Sequence, residues 1–252
     1  MRIRLDLAYL GGGFEGWQRQ DAARVPAART VQADLETALA KLFGSPVGVE
    51  GAGRTDSGVH ANGQVAHFDF PRVAKEIPPD GLRRGLNRVL APDFRVTGAQ
   101  VVVDTWHARF SAVGKVYCYR LRLDDFLHPH TGLNEALART RLDVMAMQEA
   151  ASLLVGRRDF GPFSLTGSEP TTTIRLLSEL NVEQIGTLVT ITAIGEGFLR
   201  GMVRRLAGTL REVGRGRTPA SEVLSSPGPT LEARGLTLER VLYPPAPLPE
   251  KA

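Results

Sequence analysis

The chain has 252 residues, enough for one large domain or two small ones with a substantial core. Hydrophobic residues make up 42% and charged residues 23% of it, which is typical of globular proteins. No apolar run approaches the roughly 18 residues that a membrane helix needs. The first residues, MRIRLDLAYL, are charged at alternate positions, which is not a signal-peptide pattern. Cys118 is the one cysteine, so no disulfide can form within the chain, and we expect a cytoplasmic protein.

The net positive charge is small, and most of the basic residues are arginines. The chain has 31 basic and 27 acidic residues, a net charge of 31 − 27 = +4, which permits nucleic-acid binding without demanding it. Of the basic residues, 27 are arginine and 4 are lysine. A GC-rich genome or a heat-adapted host explains that ratio best. Only the placement of particular arginines can therefore indicate function.

Hydrophobic periodicity in the first half predicts the order β-α-β-β-α-β. Thr30 is the expected cap of the first helix, Gly44 its expected end, and Pro78 and Pro79 the expected start of the second helix. The predicted strands and helices cover residues 3–9, 30–43, 47–51, 64–70, 78–90 and 95–103.

The second half is predicted to repeat this order of elements. Its predicted strands and helices cover residues 115–123, 143–155, 174–183, 188–194, 198–213 and 236–242. We therefore expect an α+β fold of two ferredoxin-like halves, residues 1–104 and 105–245, with a short tail at 246–252. Alternation within the strands favours mainly antiparallel sheets that lie side by side, with a cleft between the halves.

The stretch GAGRTDSGVH, residues 51–60, concentrates reactive side chains between two predicted strands. An isolated loop aspartate such as Asp56 usually caps a turn, but Arg54 and His60 lie close to it in sequence. A metal site of Asp56, His60 and His67 fits no standard ligand spacing. Ser57 lacks the Gly-x-Ser-x-Gly context of a nucleophilic serine. A lone carboxylate acting as nucleophile or acid–base group, flanked by arginine, is the chemical interpretation that remains.

The glycine-rich stretch at residues 11–16 is not a triphosphate-binding loop, because Trp-Gln-Arg-Gln follows it instead of Gly-Lys-Ser/Thr.

A predicted helix over residues 198–213 carries arginines on the side opposite its apolar residues. A solvated helix face normally mixes charges of both signs, and this one has Glu212 alone among six arginines at 199–217. The pattern favours contact with phosphates. Arg200, Arg204, Arg211 and Arg215 lie on this basic side, and we expect Arg200, Arg211 and Arg215 to contact a nucleic-acid backbone such as that of RNA. Gly201 and Gly208 would allow close approach of another backbone.

Tyr117 and Tyr119 share one face of the strand predicted at 115–123. Aromatic residues on a strand are most often core residues, although an aromatic ring that faces a cleft can stack on a base. The sequence favours the core for both.

Five stretches together resemble the TruA-type tRNA pseudouridine synthases over residues 3 to about 243. They are GWQRQ at 16–20, TVQADLETAL at 30–39, AGRTDSGVHANGQVAHF at 52–68, WHARFSA at 106–112 and GFLRGMVRRLAG at 197–208. The resemblance implies isomerisation of uridine to pseudouridine at positions 38, 39 and 40 of the tRNA anticodon stem-loop. It also implies that no cofactor or metal is used, and that a homodimer binds one tRNA across both subunits.

The resemblance also implies roles for four residues. Asp56 is the expected nucleophile, Arg204 pairs with its carboxylate, Tyr117 contacts the target base, and Arg54 helps hold the flipped nucleotide. Two departures from the family pattern are small: Leu10 replaces an aspartate, and Trp106 replaces the commoner phenylalanine. An RNA-binding module without chemistry and a metal-dependent hydrolase are the competing hypotheses.

Overall fold

The computed structural model describes residues 1–20, 28–71, 77–165 and 171–244. In this part of the chain the strands are β1 Arg2–Tyr9, β2 Glu50–Gly51, β3 His60–Asp69, β4 Phe94–Val102, β5 Gly114–Arg122, β6 Ala136–Leu137, β7 Gly156–Asp159, β8 Ile174–Ile185, β9 Leu188–Gly195 and β10 Leu236–Leu242. The α-helices are α1 Val31–Phe43, α2 Pro79–Val89, α3 Val144–Leu154 and α4 Met202–Gly214. The tail expected at 246–252 lies outside the described residues.

The strands form a single sheet whose main path runs β4-β1-β3-β10-β5-β9-β8-β7. In addition, β2 pairs with β3 and β6 pairs with β5. Pairing is parallel between β10 and β3 and between β5 and β6, and antiparallel in the other pairs. The expected α+β class with mainly antiparallel strands is confirmed. The division into two ferredoxin-like halves at residues 104 and 105 stays a prediction.

The first half follows the sequence signals closely. Side chains of β1 alternate between buried and half-buried along its whole length, as the period of two in its sequence requires. Thr30 caps α1 by accepting a hydrogen bond from the Ala33 amide, and Gly44 ends the helix in the left-handed region at φ 71°. The main difference is that β3 begins at His60, four residues before the predicted start.

The helix expected from Phe198 begins only at Met202. Gly201 precedes it with φ 69°, in the left-handed region, so the chain turns there and cannot be helical from 198 onward. Arg200 therefore lies in the turn before α4 instead of on the helix face. Gly208 does allow the close approach that we expected, because a Cβ there would lie 1.8 Å from the Pro229 carbonyl oxygen.

Strand β10 joins the elements that carry the predicted site residues. It lies between β3 and β5, with Thr237 opposite His60 and Leu238 opposite Tyr117. The end of the Asp56 loop and the Tyr117 position therefore lie two strand spacings apart, roughly 10 Å. No helix in the described residues is both long and apolar enough to cross a membrane.

Candidate active site

The loop that carries Asp56 is fixed by backbone hydrogen bonds to the glycine-rich loop after β1. The Trp17 amide donates to the Thr55 carbonyl at 3.0 Å, and the Gly58 amide donates to the Phe14 carbonyl at 3.3 Å. Gly16 makes the close approach possible, since it has φ 91° and a Cβ there would lie 2.7 Å from the Thr55 oxygen. The glycines of this first loop therefore serve to hold the Asp56 loop.

A network of buried side-chain hydrogen bonds also holds the Asp56 loop in place. The Tyr9 hydroxyl and Thr55 Oγ1 share a hydrogen bond of 2.9 Å. Gln64 Nε2 donates to the Tyr9 hydroxyl at 3.4 Å and to the Gly53 carbonyl at 3.0 Å. Burial raises the pKa of Tyr9 to about 12, so its hydroxyl keeps its proton at neutral pH. The residue before Asp56 is thereby tied to the central strands β1 and β3.

Asp56 faces two arginines, one in the turn before α4 and one in the first turn of that helix. Arg200 Nε lies 3.9 Å from Oδ1 and Arg204 Nη1 lies 3.8 Å from Oδ2. These are ion-pair distances, too long for hydrogen bonds. The Asp56 side chain is 30% exposed, so a ligand can reach its oxygens. The two guanidinium groups hold the carboxylate between them, and a carboxylate can act as a nucleophile.

Arg204 is held in place by a second contact. Its Nε donates to the Leu231 carbonyl at 2.6 Å, and its side chain is 18% exposed. One edge of the planar guanidinium is thus fixed to the backbone while another nitrogen faces Asp56. The resemblance implied a pairing of Arg204 with Asp56, and the structure brings the two together.

Tyr117 is 8% exposed and lies within electrostatic range of the Asp56 carboxylate. Its ring meets the Phe198 ring edge-on, with 5.2 Å between centroids. Burial raises the pKa of Tyr117 above its usual range, and the nearby Tyr9 and Asp56 groups raise it further. Tyr119 is fully buried and donates its hydroxyl proton to the Glu232 carbonyl at 2.8 Å, as a core residue would.

The other predicted RNA contacts pair with groups other than Asp56. Arg54 is exposed, and its Nε donates to Gln18 Oε1 at 3.2 Å. Arg211 and Arg215 both form ion pairs with Glu212, at 3.0 Å and 3.3 Å. The far end of α4 therefore carries less net charge than its arginine count suggests.

The histidines of the alternative metal site have structural partners. Nδ1 of His60 accepts a hydrogen bond from the Gly11 amide, and Nδ1 of His67 accepts one from the Ala108 amide. Burial lowers the pKa of both imidazoles, so both are neutral at pH 7. The bond from Gly11 also helps to fix the first loop. Across the described segments no group of three His, Cys, Asp or Glu side chains is arranged to hold a metal ion.

Comparison with known proteins identifies the family. The family model described as tRNA pseudouridine synthase matches residues 7–111 and 150–244. The chain belongs to the tRNA pseudouridine synthase family. The protein named tRNA pseudouridine synthase A from Syntrophotalea carbinolica is 41% identical, over 96% of each chain. Proteins of the same name from Myxococcus xanthus and Pseudomonas aeruginosa are 42% and 39% identical, over 98% and 96% of this chain and 95% and 86% of theirs. Pseudouridine synthases are isomerases, so this member of the family is an isomerase.

The two matched segments contain Asp56, Arg200 and Arg204, whereas Tyr117 lies between them. The geometry adds supporting groups that the sequence had not indicated. Tyr9 is the last residue of the strand predicted at 3–9, and Phe198 is the first residue of the helix predicted at 198–213; neither position indicated a place in the site. Backbone carbonyls such as that of Leu231 leave no signal in a sequence.

Proposed function

We propose that this isomerase converts uridine to pseudouridine at positions 38, 39 and 40 of the tRNA anticodon stem-loop. The observation that carries the proposal is the partly exposed Asp56 carboxylate between Arg200 and Arg204, on a loop braced by buried hydrogen bonds. The name of the relatives, tRNA pseudouridine synthase A, supports tRNA as the substrate. A tRNA substrate would place the enzyme in the cytoplasm.

In this proposal the target uridine is flipped out of the stem before it reacts. A base inside a helical stem cannot be attacked where it lies, so it must enter a pocket. Asp56 acts as the nucleophile, and Arg204 orients its carboxylate. The Tyr117 ring covers the base and excludes water. Arg54, which is exposed and contacts Gln18, helps to hold the flipped nucleotide in this proposal.

The reaction is an isomerisation, so its atoms balance without a second substrate. The bond between C1′ and N1 breaks, the uracil turns, and C5 joins C1′. The C5 proton is lost and N1 gains a proton. Attack of Asp56 at C6 of uracil, attack at C1′ of ribose, and proton abstraction to a glycal are three routes that the same carboxylate can serve.

Three arginines in and next to α4, other than Arg204, are proposed to bind the RNA backbone. Arg200, Arg211 and Arg215 can contact phosphates without reading base sequence, which suits an enzyme that acts on several tRNAs. Replacing any one of them by glutamine should make the salt dependence shallower. The magnitude of the slope of log affinity against log salt concentration should fall by about 0.7–0.9. An unchanged slope in all three variants would contradict the assignment.

We also propose a homodimer, on the strength of the family resemblance. Light scattering of the purified protein should give twice the chain mass of 27.3 kDa. A monomeric mass at micromolar concentration would contradict this part of the proposal.

The test of the function uses an unmodified tRNA transcript with uridines at positions 38–40 and excess EDTA. Pseudouridine is mapped by carbodiimide labelling and primer extension. The matched control transcript has cytidines at the three positions. We expect stops at 38–40 in the first transcript and none in the control. Product elsewhere in both transcripts would overturn the positional assignment, and loss of product with EDTA would favour a metal-dependent enzyme.

A further inference from the structure

Lys115 lies on the same strand and face as Tyr117. Both belong to β5, where side chains two residues apart point to the same side of the sheet. The backbone of Lys115 pairs with Gly195 of β9 and Val241 of β10. Lys115 therefore lies on a central strand of the sheet, with a neighbouring strand on each side. Its side chain is half-buried. The rise per residue places Lys115 roughly 7 Å along the strand from Tyr117, close enough for one nucleotide to contact both.

The ammonium group of Lys115 rests against the Asp56 loop. A Cβ on Gly53 would lie 2.6 Å from Lys115 Nζ and 3.2 Å from Cε. A larger residue at position 53 would require the ammonium to move from this position. The Gly53 carbonyl already accepts a hydrogen bond from Gln64. The loop therefore makes space for a positive charge three residues before the predicted nucleophile.

This positive charge has no counter-charge in the described residues, where Lys115 forms neither an ion pair nor a side-chain hydrogen bond. A charge of the same sign, that of Arg109, acts on it, and burial together with Arg109 lowers the Lys115 pKa. The half-buried Arg122, at the other end of the same strand, contacts Glu135 at 2.6 Å instead. A half-buried ammonium without an anion lowers stability, so an anionic ligand at this position would be stabilising.

We propose that Lys115 binds the backbone phosphate adjacent to the target uridine. A lysine ammonium is a compact point charge that serves as a phosphate ligand in many proteins. If the base of a nucleotide lies on Tyr117, its phosphate would lie near Gly53 and contact the Lys115 ammonium. The phosphate supplies the missing counter-charge, and the contact fixes the ribose relative to Asp56. This inference rests on the proposed function, because it takes the ligand to be the flipped nucleotide.

The test is a thermodynamic cycle between the lysine and single phosphates. Synthetic anticodon stem-loop hairpins carry a neutral methylphosphonate on the 5′ or the 3′ side of the target uridine, or at a distal stem position. Binding is measured by fluorescence anisotropy in the Asp56→Ala background, with and without Lys115→Met. Lys41→Met, which removes an exposed lysine at the end of α1, is the matched control.

One flanking methylphosphonate should weaken binding about tenfold when Lys115 is present, and less than twofold with Lys115→Met. The distal methylphosphonate and Lys41→Met should show no such coupling. Lys115→Met should leave the thermal midpoint unchanged or raise it, because it removes an uncompensated charge. The proposal would be overturned if, at both flanking positions, the methylphosphonate weakened binding equally in the protein with Lys115 and in Lys115→Met.

The two proposals fail separately in this design. Wild-type protein that forms no pseudouridine in the unmodified hairpin would contradict the proposed function. Coupling between Lys115 and a flanking phosphate would still stand in that case as a nucleic-acid phosphate site.

Discussion

Tyr9→Phe should weaken both the fold and the reaction, because it removes the hydroxyl that ties β1 to the residue before Asp56. The hydroxyl shares a 2.9 Å hydrogen bond with Thr55, and the two residues are 4% and 6% exposed. A net hydrogen bond contributes about 1 kcal/mol, and a buried partner left unsatisfied costs about 1–3 kcal/mol. We expect a loss of about 1–3 kcal/mol, which for a chain of this size is about 2–12 °C in the thermal midpoint.

The effect on catalysis follows from the position of Thr55. A loop that shifts by a fraction of an ångström moves the Asp56 carboxylate relative to Arg204, and such misplacement can cost up to about a hundredfold in rate. We expect the single-turnover rate of pseudouridine formation to fall about tenfold, with tRNA affinity nearly unchanged. Urea unfolding and quenched-flow mapping of product measure the two effects.

Tyr243→Phe is the matched control. Its hydroxyl donates to the Ala108 carbonyl at 2.6 Å, and its ring packs against Trp106, outside the Asp56 loop. The control should lose stability without losing rate. If Tyr9→Phe costs less than about 0.5 kcal/mol, or leaves the rate within twofold of the control, the bracing network does not position the loop and the reasoning is wrong.

Three further predictions concern the same site. Arg204→Lys should lower the single-turnover rate about tenfold to a hundredfold, because an ammonium cannot face Asp56 and hold a backbone carbonyl in the fixed geometry of a guanidinium; a wild-type rate would contradict this. His60→Asn should reduce the pH dependence of the free energy of unfolding below pH 6.5, measured by urea unfolding, since burial lowers the His60 pKa. The neutral ring stabilises the fold above the unfolded pKa of about 6.5, and this is lost as pH falls toward the lowered pKa, at most about 1.4 kcal/mol per pH unit; an unchanged acid limb would refute it. Gly16→Ala should destabilise more than Gly44→Ala in thermal unfolding, because both have positive φ but only at Gly16 would the Cβ meet backbone, at 2.7 Å; equal losses would show that the close approach is relaxed at no cost.

Local sequence rules predicted most strands and helices, because those elements depend on neighbouring residues. The alternation of β1 and the Thr30 and Gly44 caps of α1 are examples. The late start of α4 was missed because the apolar stripe runs on through Phe198, while the positive φ of Gly201 breaks the helix. The four-residue strand β7 is too short to show a period.

Contacts between distant segments were the part that the sequence could not supply. The parallel pairing of β10 with β3 joins His60 to Thr237 across the chain, and no local pattern encodes it. The pairing of Arg204 with Asp56 was predictable only through family resemblance, not from spacing. The bond between Tyr9 and Thr55 and the approach of Lys115 to Gly53 depend on that same tertiary arrangement.

The central claim is that the Asp56 carboxylate performs the chemistry while other groups bind the RNA. The most direct measurement compares wild-type protein with purified Asp56→Ala on one tRNA transcript, with binding by filter retention and product by carbodiimide mapping. We expect Asp56→Ala to bind as tightly as wild type or more tightly, since Arg200 and Arg204 lose a competing anion, and to form no pseudouridine. Pseudouridine formed by the purified variant would contradict the account.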